Sequence, residues 1–221
     1  MNTLWSLASF LTGNIVRTRG ARTAMATRAR NAVRSATPLA PALYLTFDDG
    51  PHPQHTPALL DVLERHGAKG SFYLIGREAE KYPDVVRSLL ARGHAIGNHS
   101  MCHPRMRDLS ASAQRAEIDQ ADSVLQRFDG HARHAFRPPN GRVTWPALVT
   151  ALIRRQPLML WTIDSLDYKH PAAEVARRLS ARPFADGDVI LFHDDAPCAA
   201  AVLSELLPAW QARGLQFPAL T

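Results

Sequence analysis

From Leu43 to the C-terminus, short apolar runs alternate with stretches of helical apolar spacing, and this alternation constrains the fold more than any other feature. After a linker-like TPLAPA (37–42), LYLTF reads as a buried strand. PALLDVLERHG (57–67) is expected as a helix capped at Gly67, GSFYLIG as a strand, and EAEKYPDVVRSLLARG as helix interrupted near Pro83. HAIGNH reads as a strand, residues 110–130 as a long amphipathic helix ending at Gly130, and HAFR as a short strand. TWPALVTALIRR, PAAEVARRLSAR and AAAVLSELLPAWQARG are expected helices, with LMLWTID and DVILFH as the strands between them. Such alternation predicts a parallel sheet with helices outside, as a doubly wound sheet or a barrel. Asp48, His99, Arg137, Asp164 and His193 each fall at the C-terminal end of a different expected strand. That favours a (β/α) barrel, whose C-terminal edge aims several side chains at one point.

Composition adds bounds. The chain has 221 residues, 46% hydrophobic and 21% charged, as one domain with a substantial core requires. Two cysteines, Cys102 and Cys198, make no disulfide framework. The net charge of +6 is carried by the first 40 residues, where six arginines (Arg17, Arg19, Arg22, Arg28, Arg30 and Arg34) meet no acidic residue. The remainder is formally neutral, so a nucleic-acid-binding role for the folded body has no electrostatic support.

Residues 1–40 therefore read as a basic N-terminal arm, with the domain proper at 41–221. Leu4, Leu7, Leu11 and Ile15 recur at helical spacing ahead of the arginines. Ser6, Ser9, Thr12 and Asn14 break that run, leaving it too short and polar to span a bilayer. No positive charge precedes it, as a secretory signal would require, which leans the expected location to the cytoplasm or the inner membrane face. The arm is expected either to lie on an anionic membrane surface or to be poorly ordered.

Chemistry concentrates in four places. LTFDDGPHP sets Asp48 and Asp49 side by side where a strand leaves the core. NHSMCHP spaces His99 and His103 four residues apart, so that one turn can present two imidazoles to a divalent metal, although such a pair alone is weak evidence. Arg137 follows an apolar strand, where it can orient a carboxylate and keep it ionised. His193 ends the strand of LFHDD, as a structural histidine or as a general acid near neutral pH.

Together these motifs resemble the polysaccharide deacetylases of the NodB-homology type, carbohydrate esterase family 4. LYLTFDDGPHPQHTPALLDVLERHGAKGSFYLIG looks like that family's opening, and NHSMCHP, RPPNG, DSLDY and LFH follow in its order over about residues 42–221. The resemblance implies a distorted (β/α) barrel and one divalent cation, zinc, bound by Asp49, His99 and His103. It implies Asp48 as the base acting on the water that the cation holds, with Arg137 pairing Asp48. It implies His193 as the acid for the leaving amine, held by a carboxylate of DSLDY. Of the two there, Asp164 is favoured for its place at the strand end and Asp167 is second.

The implied reaction removes N-acetyl groups from N-acetylglucosamine-containing glycan: chitin oligosaccharide, peptidoglycan or exopolysaccharide. The backbone N–H of Asn140 would serve the oxyanion, with Tyr168 and Leu191 also on the substrate side. Asn140 replaces the family's usual tyrosine and Tyr168 its tryptophan, which bears on polymer preference more than on catalysis. Trp161, within an expected strand, is assigned to the core. The alternatives are an O-acetyl xylan esterase of the same family and a non-catalytic glycan-binding barrel.

Overall fold

The computed structural model describes residues 40–220; both readings of the N-terminal arm fall on residues outside that range. In chain order the elements are β1 (Leu43–Asp48), α1 (His55–Arg65), β2 (Gly70–Leu74), α2 (Gly76–Lys81), α3 (Pro83–Ala91), β3 (Ala95–Asn98), α4 (Ala111–Asp129), α5 (Trp145–Arg154), β4 (Ile163–Asp164), α6 (Ala172–Ser180), β5 (Asp188–His193) and α7 (Cys198–Ala212). Local chemistry sets many of these limits. Ser110 caps α4 by accepting from the Ala113 N–H, and Gly130 ends it at φ 79°, a left-handed conformation that favours glycine. Pro83 occupies the first turn of α3, so the expected interruption divides two helices.

All strand pairs are parallel, in the order β3-β2-β1-β5-β4. Beyond β3 the sheet continues through single bridges, Asn98 to Phe136 and Phe136 to Leu158. The segment carrying Leu158 then runs into β4, which pairs with β5, so the ring closes as a distorted barrel. The expected strands HAFR and LMLWTID are shorter than read. Pro138 and Pro139 follow the first and Pro157 precedes the second, and none has an N–H to extend a ladder.

The register sorts the side chains. Asp48 is level with Tyr73 on β2 and His193 on β5, and Tyr73 with Gly97 on β3. This layer faces the barrel interior. The alternate residues, among them Leu45, Phe47, Phe72, Ile190 and Phe192, face outward and join Leu59, Leu63, Val202, Leu206 and Trp210 of the helices in the main core. Phe47 stacks on Phe72 at 4.6 Å and on Phe192 at 6.0 Å, so the central strand is fixed by its neighbours on both sides.

Candidate active site

The interior layer opens at the C-terminal edge into a cleft of about 340 Å³, lined by Asp48, Asp49, His99, His103, Asn140, Gly141, Trp161, Asp164, Tyr168, Leu191, His193 and Asp195. The site residues expected from the sequence lie on this cleft except Arg137, which is fully buried behind it, and the second-choice Asp167, which is also buried.

The two adjacent aspartates separate because the backbone changes hand between them. Asp48 ends β1, whereas Asp49 has φ 75°, outside the region a strand occupies. The Asp48 Oδ1 accepts from Arg137 Nη1 at 2.8 Å, and the same nitrogen reaches Thr46 Oγ1 at 2.9 Å. The guanidinium lies 3.9 Å from the Tyr73 ring centroid, so the buried cation is held by a carboxylate, a hydroxyl and an aromatic face.

His99 and His103 meet through a tight non-helical turn, in which Ser100 and His103 both have positive φ. The turn is held by Ser100 N–H donating to Asn98 Oδ1 and His103 N–H donating to Ser100 Oγ. His99 Nδ1 donates to the Arg137 carbonyl at 2.7 Å, which turns Nε2 toward the carboxylates. Both imidazole Nε2 atoms lie 3.4 Å from Asp49 Oδ1. Cations bound at about 2.0–2.1 Å with tetrahedral angles put their ligands about 3.3 Å apart, close to these separations. Asp49 Oδ1 is buried without a hydrogen-bond partner among the described residues, which is the condition of an oxygen that awaits a cation. The donor set therefore fits one divalent metal ion.

At Asp49 and His103 the electrostatics agree with that reading. Burial opposes ionisation of Asp49, yet the imidazoles of His99, His103 and His193 hold its carboxyl below the usual range. Burial pushes His103 down, with the neighbouring His99 adding to the effect, and a neutral imidazole is the form that ligates.

On the opposite wall, burial disfavours a charged His193, but Asp167, with Asp48 and Asp49 adding to it, outweighs burial and raises the imidazole to about 9. Asp167 grips His193 twice, accepting from Nδ1 and from the backbone N–H, each at 2.8 Å. The preference for Asp164 is thereby corrected. The β4–β5 register puts Asp164 level with Leu191, two residues short of His193. Asp164 Oδ1 instead accepts from the Leu166 N–H, turning the chain so that the next carboxylate reaches the histidine, and its Oδ2 accepts from the Tyr168 hydroxyl.

Trp161 is the second correction. It is half-buried and lines the cleft, with Gly141 so close that a Cβ there would fall 2.5 Å from the indole. Thr46 and Tyr73 were missed by sequence reasoning; strand alternation from Asp48 gives Thr46, but Tyr73 needs the β1–β2 register.

A family model described as polysaccharide deacetylase matches residues 35–158. This chain belongs to the polysaccharide deacetylase family. It is 35% identical to a chitooligosaccharide deacetylase of Azorhizobium caulinodans, over 78% of this chain and 90% of that protein. It is 32% identical to a peptidoglycan-N-acetylglucosamine deacetylase of Bacillus cereus, over 80% of this chain and 66% of that one. The solved peptidoglycan deacetylase PdaC from Bacillus subtilis superposes with a TM-score of 0.77 at 26% identity, over 84% and 90% of the two chains. Membership makes the protein a hydrolase of the polysaccharide-deacetylase class. The matched family segment ends at residue 158, so Asp167 and His193 enter the site on geometry.

Proposed function

We propose that this deacetylase removes N-acetyl groups from N-acetylglucosamine-containing glycan, with a divalent cation, zinc by donor type, held by Asp49, His99 and His103. The carrying observation is Asp49 Oδ1, buried with no hydrogen-bond partner among the described residues, set between two imidazoles and next to an Arg137-clamped Asp48. The relatives named as chitooligosaccharide and peptidoglycan N-acetylglucosamine deacetylases support the substrate class. When bound, such a cation polarises the acetyl carbonyl and lowers the pKa of water.

The chain's own groups supply the proton transfers. With Oδ1 engaged by Arg137, Asp48 turns Oδ2 to the ligand side, 3.7 Å from His99 Nε2, where it takes a proton from the attacking water. The backbone N–H of Asn140, in the Pro139–Gly141 turn that lines the cleft, is assigned to the developing oxyanion. His193 keeps Nδ1 on Asp167 and presents Nε2, which gives its proton to the departing amine. Leu191 forms an apolar floor for the acetyl methyl, and the exposed Tyr168 ring and Trp161 offer faces for sugar.

Acetate release from chitin oligosaccharides, peptidoglycan fragments and acetylated xylan, with and without thorough chelation, tests this. The expected outcome is release from the N-acetylated glycans that chelator abolishes and zinc restores. Release unaffected by metal removal would overturn the cation, and release from acetylxylan alone would make the protein an O-acetyl esterase.

A further inference from the structure

A second group of ligating side chains stands outside the barrel, at the C-terminal end of α4. Asp129 is the last residue of that helix, and His131 and His134 follow in the turn that leads to Phe136. One ligating atom from each of the three lies within 4.8 Å of the other two. Asp129 Oδ2 is 3.1 Å from His131 Nδ1 and 3.0 Å from His134 Nε2, again close to the roughly 3.3 Å edge of a tetrahedral site.

The surroundings are those of an oriented ligand. His134 is 3% exposed at its side chain, and its Nδ1 faces Asp122 Oδ1 at 3.2 Å, which directs Nε2 at Asp129. Asp122 is itself fixed by Asn98 Nδ2 and Gln156 Nε2, and Gln156 also donates to the His134 carbonyl. A carboxylate behind a histidine, aiming the other ring nitrogen, is the outer-shell arrangement of ligating imidazoles. The Asp129 carboxylate is further placed by accepting from the His131 N–H at 2.9 Å. The carbonyl end of α4 carries the negative pole of the helix, which favours a cation there.

We infer that Asp129, His131 and His134 form a second site for a divalent cation of the zinc type, separate from the catalytic one. Two imidazoles and one carboxylate are the donor types zinc prefers, and the exposed side of His131 leaves the fourth position to water. The site is structural. It would tie the end of α4 to the turn 130–135, which feeds Phe136 into the barrel ring and Arg137 into the active site. Asp122 continues that tie inward, because Asn98, the residue before His99, donates to it.

A charged His134 shared between Asp122 and Asp129 would satisfy the same atoms by hydrogen bonds alone and hold no ion. Counting bound ions separates the two. The test is equilibrium dialysis of the full chain against micromolar Zn²⁺ at neutral pH with elemental analysis, for wild type, His131→Ala and Asp129→Asn, together with thermal unfolding. His131 is exposed and Asp129→Asn is nearly isosteric, so both variants are compatible with folding. The expected result is one ion fewer per chain in each variant than in wild type. The same extra ion should persist in Asp49→Ala, and added zinc should raise the melting temperature of that variant. Equal ion counts in wild type and both variants would overturn the site, whatever the catalytic centre binds.

Discussion

At the scale of single residues, neighbouring groups of one kind are given different work by what touches them. Asp48 faces a buried guanidinium and Asp49 faces two imidazoles, although one peptide bond separates them. The same applies to Asp164 and Asp167, of which only the second reaches His193. Because Asp167 raises His193 to about 9 against the pull of burial, the imidazole is protonated below that pH and loses its proton above it. A general acid paired in this way predicts an alkaline limb in kcat/KM that follows the His193–Asp167 pair. Asp167→Asn removes the raising partner, so its alkaline limb should move to lower pH, whereas Asp164→Asn should leave the limb in place. A pH–rate profile showing the reverse would return the pairing to Asp164. The sequence carried both aspartates but not the β4–β5 register, and register decides which one reaches the histidine.

At the scale of elements, the legible features were those written in local chemistry. Ser110 and Gly130 bound α4, and Pro83 divides α2 from α3, as their side chains dictate. The staves through Phe136 and Leu158 were over-read because apolar content does not reveal which backbone groups find a partner. Trp161 reads as core because aromatic side chains in strands are commonly buried, a rule that cannot tell a barrel interior from its open mouth. Close approach across strands yields a prediction of its own. A Cβ on Gly97 of β3 would lie 2.5 Å from the Tyr73 ring, and that ring packs on the Arg137 guanidinium. Gly97→Ala should therefore cost about 1–3 kcal/mol of stability and lower kcat by shifting the arginine that orients Asp48. Thermal unfolding and initial rates check this, and unchanged values for both would remove Tyr73 from the support of the site.

At the scale of the molecule, the barrel is unequal around its ring. β1 is paired along its length with β5 and over Leu45–Asp48 with β2, while Phe136 and Leu158 hold their place by single bridges. Native-state hydrogen exchange should find the β1 amides Leu45 and Phe47 among the slowest and those of Phe136 and Met159 markedly faster. Uniform protection around the ring would contradict this distribution. The strong side carries the adjacent aspartates and His193, while the weak side carries Arg137, so the active site is assembled across the closure. The central claim is that this convergence divides metal holding from proton transfer at Asp49 and Asp48. It is tested most directly by measuring bound metal and kcat together in Asp48→Asn. The account predicts an undiminished metal content with kcat lowered by about 10²–10⁴-fold, the usual worth of a positioned base. Metal fully bound and turnover near wild type would contradict it.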